Sequence, residues 1–128
     1  SADIWNLKQV RGGIVDLEFT TQFLQLVNAA ERPDVLDPNT EAGLTKLAKA
    51  GVLDQADAEL LIPAARLYQS LTEILRLCLV EGFDANDAPQ ALRELLARSA
   101  DMPDFSTLEA TLKETLLRVH NAFNRLVA

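Results

Sequence analysis

The chain is short of the residues that mark secreted, membrane-spanning or β-rich proteins. It has one cysteine, Cys78, so no disulfide can form within it. Cys78 falls in an apolar helical stripe, and this predicts a buried, reduced thiol of the kind found in the cytoplasm. No stretch approaches the roughly 20 apolar residues needed to cross a bilayer, and no signal peptide is visible. The only histidine, His120, has no cysteine or aspartate at ligand spacing, which argues against a zinc site. It is expected at a core edge or on the surface. No run of basic residues occurs, and the formal net charge is −7. An acidic domain repels nucleic acid and anionic membranes, so neither is expected as a partner. Aromatic residues make up only 5%, and glycine and proline number five each. With Leu and Ala abundant, this favours packed helices over a β-sandwich.

What is present is helical periodicity. At 128 residues and 48% hydrophobic, the chain is large enough for one domain with its own core. Leu60, Ala64, Leu67, Leu71, Ile74 and Cys78 recur at spacings of four and three, with Leu61, Tyr68 and Leu75 widening the stripe. This predicts a long helix capped by Asp54, carrying Asp57 in its first turn, kinked or begun at Pro63, and ending near residues 81–82. Leu108, Leu112, Leu116, Val119, Phe123 and Leu126 predict a second long helix, with a Ser106–Glu109 capping box. A third runs from Ile14 to Ala30, apolar on nearly every side through Ile14, Val15, Leu17, Phe19, Phe23, Leu24, Leu26 and Val27. Such a helix wants burial all round, more than a small bundle provides, so a neighbouring domain is expected to cover part of it. Shorter helices are predicted from Glu41 to Ala50, capped by Thr40 and stopped by Gly51, and from Pro89 to Ser99, capped by Asp87. The expected fold is therefore all-α: an up-and-down bundle over residues 14–128 with about four main helices and one short one.

Residues 1–13 stand apart. Ile4, Trp5, Leu7 and Val10 alternate imperfectly with polar residues, as in a strand, yet no partner strand is in sight. They are read as an extended segment left from a preceding domain. Trp5 and Tyr68 are read as packing residues. The segment carries Lys8 and Arg11 into a Gly12-Gly13 turn that opens a helix. Backbone N–H groups at such a turn, helped by two cations, form a generic anion or phosphate site. A strand-to-helix turn that needs glycine for its backbone angles, with a positive φ at Gly13, explains the same residues. Asp16 and Glu18 point to different sides of the helix and do not suit one metal. No metal ligands are assigned.

Lys8, Gly12, Gly13, Asp16, Glu18, Phe19 and Gln22, with Leu17 in place of the usual isoleucine, resemble a long motif of the bifunctional glutamine synthetase adenylyltransferases. The resemblance implies a helical domain that follows one of two nucleotidyltransferase halves. In that family one half transfers AMP from ATP to a tyrosine of glutamine synthetase and the other removes it by phosphorolysis, under the control of nitrogen-signalling proteins. The Val15–Glu18 version looks closer to the adenylylating half. The family's metal-binding Asp-x-Asp element does not occur in these 128 residues. The resemblance thus implies ATP and magnesium in the intact enzyme, none in this part, and no catalytic residue here. Lys8, Arg11, Gly12 and Gly13 would sit at the boundary between domains, near nucleotide or at a hinge. A free-standing helical interaction protein and an independent nucleotide-binding domain are the alternatives.

Overall fold

A computed structural model describes residues 3–78 and 83–127. Among these residues it contains five α-helices and no strand: α1 (Ile14–Asn28), α2 (Thr40–Lys49), α3 (Gln55–Leu77), α4 (Gln90–Ser99) and α5 (Phe105–Leu126), with a 3-10 turn at Pro33–Val35. The all-α bundle is as expected. Three helices are long, whereas α2 and α4 span ten residues each.

The helix boundaries follow local chemistry, although not always through the residues expected. Asp54 caps α3, its side chain accepting the Asp57 N–H. Asn39, not Thr40, caps α2 by accepting from Ala42. Asp104, not Ser106, caps α5 by accepting from Thr107. Asp87 caps nothing: α4 begins after Pro89 with no side-chain cap. The residues 81–82 expected to end α3 lie outside the described residues; its last helical residue is Leu77. Pro63 neither breaks nor starts α3. It sits on an exposed side of the helix, where water can satisfy the carbonyl its missing N–H leaves free.

The three long helices share one core. α1 packs on α2, α3 and α5, while α4 closes the other side against α3 and α5. Gly12, Asp16 and Phe19 meet residues 116, 120 and 123 in the same order, so α1 and α5 run parallel. Asp57 near the start of α3 pairs with Arg125 near the end of α5, making that pair antiparallel. This carboxylate is nearly buried and is held by both guanidinium N–H groups, at 2.6 and 3.1 Å. The core itself is leucine-rich: Leu44, Leu47, Leu61, Leu71, Leu96, Leu108 and Leu112 are wholly inaccessible. In α3 the buried face is Leu61, Ala64, Ala65, Tyr68 and Leu71. It is thus rotated toward the residues that widen the stripe, leaving Leu60, Leu67 and Ile74 half-buried.

Two further expectations fail. Cys78 is exposed, not buried, because the stripe outlasts the packing: Leu77, one residue earlier, is already 79% exposed. Residues 3–13 are not extended. They form consecutive turns, with Asn6 N–H donating to Asp3 and the Gln9 and Val10 N–H groups both donating to Asn6. Trp5 and Leu7 are buried. The Trp5 ring stacks on Phe105 at 5.3 Å and meets Phe83 edge-on at 5.1 Å, while Arg93 covers the Phe105 ring at 4.7 Å. A short apolar segment that cannot find a strand partner has instead buried its large side chains in the bundle.

The Gly-Gly turn as a candidate functional site

The turn that leads into α1 lies against the middle of α5. Gly12 has φ +78°, a backbone conformation that glycine adopts without a Cβ clash. A Cβ at this position would stand 1.9 Å from the Leu116 carbonyl oxygen and 3.1 Å from the His120 backbone nitrogen, so the backbones of the turn and α5 touch directly. Gly13 has φ −82°. The positive φ expected there belongs to Gly12. What Gly13 provides is a close approach, since a Cβ would fall 2.1 Å from the Leu7 carbonyl oxygen.

Both polar groups of Gly12 are held. Its N–H donates to Asp16 Oδ2 at 2.7 Å, and its carbonyl accepts the Tyr68 hydroxyl at 2.6 Å. The Gly13 N–H donates to Val10 and the Ile14 N–H to Leu7. Every N–H from residue 12 to 14 is therefore satisfied within the protein, and none is free for a phosphate. A helix start of this kind is a clasp, fastening the N-terminal turns to α1, α3 and α5 together.

His120 is half-buried beside the clasp. Its Nδ1 lies 3.8 Å from Asp16 Oδ2, buried and with no hydrogen-bond partner, and its Nε2 is 3.3 Å from the Asn124 amide. Asp16 and Glu18 diverge as expected: Asp16 turns into the clasp and Glu18 is exposed. Lys8 and Arg11 are exposed, and among the described residues neither makes an ion pair or side-chain hydrogen bond. The motif thus divides in two. Gly12, Gly13 and Asp16 build the fold, whereas Lys8, Glu18, Phe19 and Gln22 are left facing outward. No group of His, Cys, Asp and Glu among the described residues could hold a metal ion. Sequence reasoning missed Tyr68, whose bond to Gly12 spans 56 positions.

Burial, reinforced by the nearby Asp16 carboxylate, pushes the Tyr68 phenol far above the ordinary tyrosine range. The raised value favours the protonated form in the folded state, so the stabilisation is complete below about pH 10, where an unfolded tyrosine titrates, and is lost as pH rises beyond it. Tyr68 is the only tyrosine. Its ultraviolet ionisation is expected to lag free tyrosine and to coincide with alkaline loss of helical dichroism. An ordinary titration near pH 10 in the folded protein would contradict the buried bond to Gly12.

The clasp makes the Gly-Gly turn a packing element of a helical module. The sequence profile described as GlnD PII-uridylyltransferase matches residues 4–127, and the chain belongs to that family. Its curated relatives include enzymes called bifunctional glutamine synthetase adenylyltransferase/adenylyl-removing enzyme. The one from Rhodopseudomonas palustris (strain TIE-1) is 51% identical over 125 residues. Those from Bradyrhizobium diazoefficiens (strain USDA 110) and Xanthobacter autotrophicus (strain Py2) are 47% and 45% identical. In each case 98% of this chain aligns, to 13% of the relative's length. The chain therefore spans about one-eighth of these relatives, and the resemblance drawn from the Lys8–Gln22 motif extends along nearly the whole of it. No helix among the described residues is long and apolar enough to cross a membrane.

Proposed function

We propose that this chain is the helical module of a cytoplasmic bifunctional glutamine synthetase adenylyltransferase, and that it positions a nucleotidyltransferase domain of the same polypeptide rather than reacting itself. The observation that carries this reading is the 51% identity to such an enzyme along 98% of the chain. The intact enzyme would take AMP from ATP, with magnesium, to glutamine synthetase and remove it again, under a nitrogen-signalling regulator. The Val15–Glu18 sequence favours the adenylylating half. ATP and magnesium belong to the catalytic domain on this reading. The N–H groups of the Gly-Gly turn do not suit a phosphate, because all are already donated. Lys8 and Arg11 remain free to point at the domain boundary and supply positive charge there.

The test uses the full-length polypeptide, labelled ATP and glutamine synthetase. The intact protein is expected to transfer AMP and the 128-residue chain alone to transfer none. Lys8→Ala in the full-length protein is expected to lower kcat/KM for ATP about tenfold, equivalent to about 1.4 kcal/mol of transition-state stabilisation. Unchanged kinetics in a folded Lys8→Ala protein would make Lys8 a solvated surface residue. An absence of AMP transfer by the full-length protein would sink the functional reading altogether.

A further inference from the structure

α1 is half polar on its buried face and rich in apolar residues on its outer one. Its buried face carries Thr20, Thr21 and Gln25 beside Leu17 and Leu24. The two threonine hydroxyls are spent on carbonyls of the helix itself, and the Gln25 amide reaches the Val35 and Asp37 carbonyls. Four of its apolar residues face the other way. Val15, Phe19 and Leu26, which share one side of the helix at spacings of four and seven, are 47%, 51% and 75% exposed, and Val27 is 61% exposed. A helix that ended its burial at this bundle would carry the reverse pattern, with polar residues outward. The apolar surface continues onto the neighbouring helix: Phe19 packs on Phe123 of α5 at 6.0 Å, and α5 also exposes Leu117. Contiguous apolar surface of this kind marks an interaction site.

From this surface we infer that the outer face of α1, centred on Phe19 and Leu26 and continued by α5, is the seat of the catalytic domain of the same polypeptide. The inference rests on the reading under Proposed function and adds the face through which the module acts. One observation favours an intramolecular occupant. About seven-eighths of the length of the relatives lies outside the region matched by this chain, so a large covalently linked partner is at hand in such proteins. Linkage gives such a contact a high effective concentration, so a modest apolar face can hold it. The outward motif residues Glu18 and Gln22 lie along the same face, supplying a polar margin around the apolar centre.

The experiment places Phe19→Lys and Leu26→Lys together in the full-length polypeptide and in the 128-residue chain. Both side chains are exposed, so the short chain is expected to fold as before. In the full-length protein the substitutions are expected to split one cooperative thermal transition into two and to lower AMP transfer at least tenfold. A full-length variant with a single unchanged transition and unchanged transfer would overturn the inference. So would a short chain that forms a dimer abolished by the substitutions while the full-length variant behaves as the wild type, since the occupant would then be a second copy. Calorimetry keeps the two readings apart. If the unsubstituted full-length protein transferred no AMP, the proposed function would fail, while splitting of the transition would still report whether this face holds the rest of the polypeptide.

Discussion

Replacing Gly12 by alanine is expected to destabilise the protein by about 3–5 kcal/mol, combining backbone strain with overpacking. The two contributions can be separated. A left-handed backbone costs a residue with a Cβ about 1–2 kcal/mol. The larger contribution comes from the 1.9 Å approach of the new Cβ to the Leu116 carbonyl oxygen. That neighbour is backbone in the middle of a 22-residue helix, so it cannot swing aside as a flexible side chain would. Relief requires the turn to lift off α5, which stretches both the Tyr68 and Asp16 bonds to Gly12. Gly51 supplies the control. It has the same φ of +78° but nothing within 4 Å of a built Cβ, so Gly51→Ala is expected to cost only the backbone part, about 1 kcal/mol. Equilibrium denaturation of the two variants decides the matter. Equal losses at both positions would mean that Gly12 is needed for its dihedral angle alone and that the turn does not bear on α5.

Which features can be read from the sequence depends on the distance over which the responsible interaction acts. The 4/3 apolar spacing in α3 and α5 is a property of successive turns of one helix, and both helices stand where it predicts them. Caps are also local, yet ambiguous where several cappers crowd together. Asp104, Ser106 and Thr107 all lie within one turn, and Asp104 accepts the N–H that starts α5. Proline at residue 63 could be placed but not interpreted, since its effect depends on which side of α3 faces water. The apolar girth of α1 was legible, but not which side the bundle would cover. Thr20, Thr21 and Gln25 lie inside because each finds a carbonyl there, which hydropathy alone does not register. The clasp was only half legible. Gly12 and Asp16 are four residues apart, but Tyr68 and Leu116 reach the turn only after the helices have packed. From the sequence Asp57 reads only as an acid in the first turn of a helix, for the same reason: its partner Arg125 lies 68 positions away.

Trp5→Ala is expected to cost about 3–5 kcal/mol, the range for removing a large aromatic side chain from a packed core. The sequence suggested a segment belonging to another domain, for which this substitution would leave the bundle untouched. In the structure Trp5 is only 6% exposed, and its ring fills the space between Phe83 and Phe105. The indole N–H points to Glu109 at 3.5 Å, at the outer limit of a hydrogen bond, so the expected loss is one of packing rather than of that contact. Glu109→Gln should therefore change stability by less than about 0.5 kcal/mol, as for an ordinary surface substitution. Because Trp5 is the only tryptophan, its fluorescence reports directly on this segment. In the unsubstituted protein its emission should shift to the red at the same denaturant concentration at which helical dichroism is lost, since segment and bundle unfold as one unit. An earlier fluorescence transition, together with a Trp5→Ala loss below about 1 kcal/mol, would detach residues 3–13 from the bundle. The clasp at Gly12 makes that outcome physically costly. The same turns that bury Trp5 and Leu7 also deliver the Leu7 and Val10 carbonyls to the N–H groups of Ile14 and Gly13, so releasing the segment would strip α1 of the contacts that set its first turn.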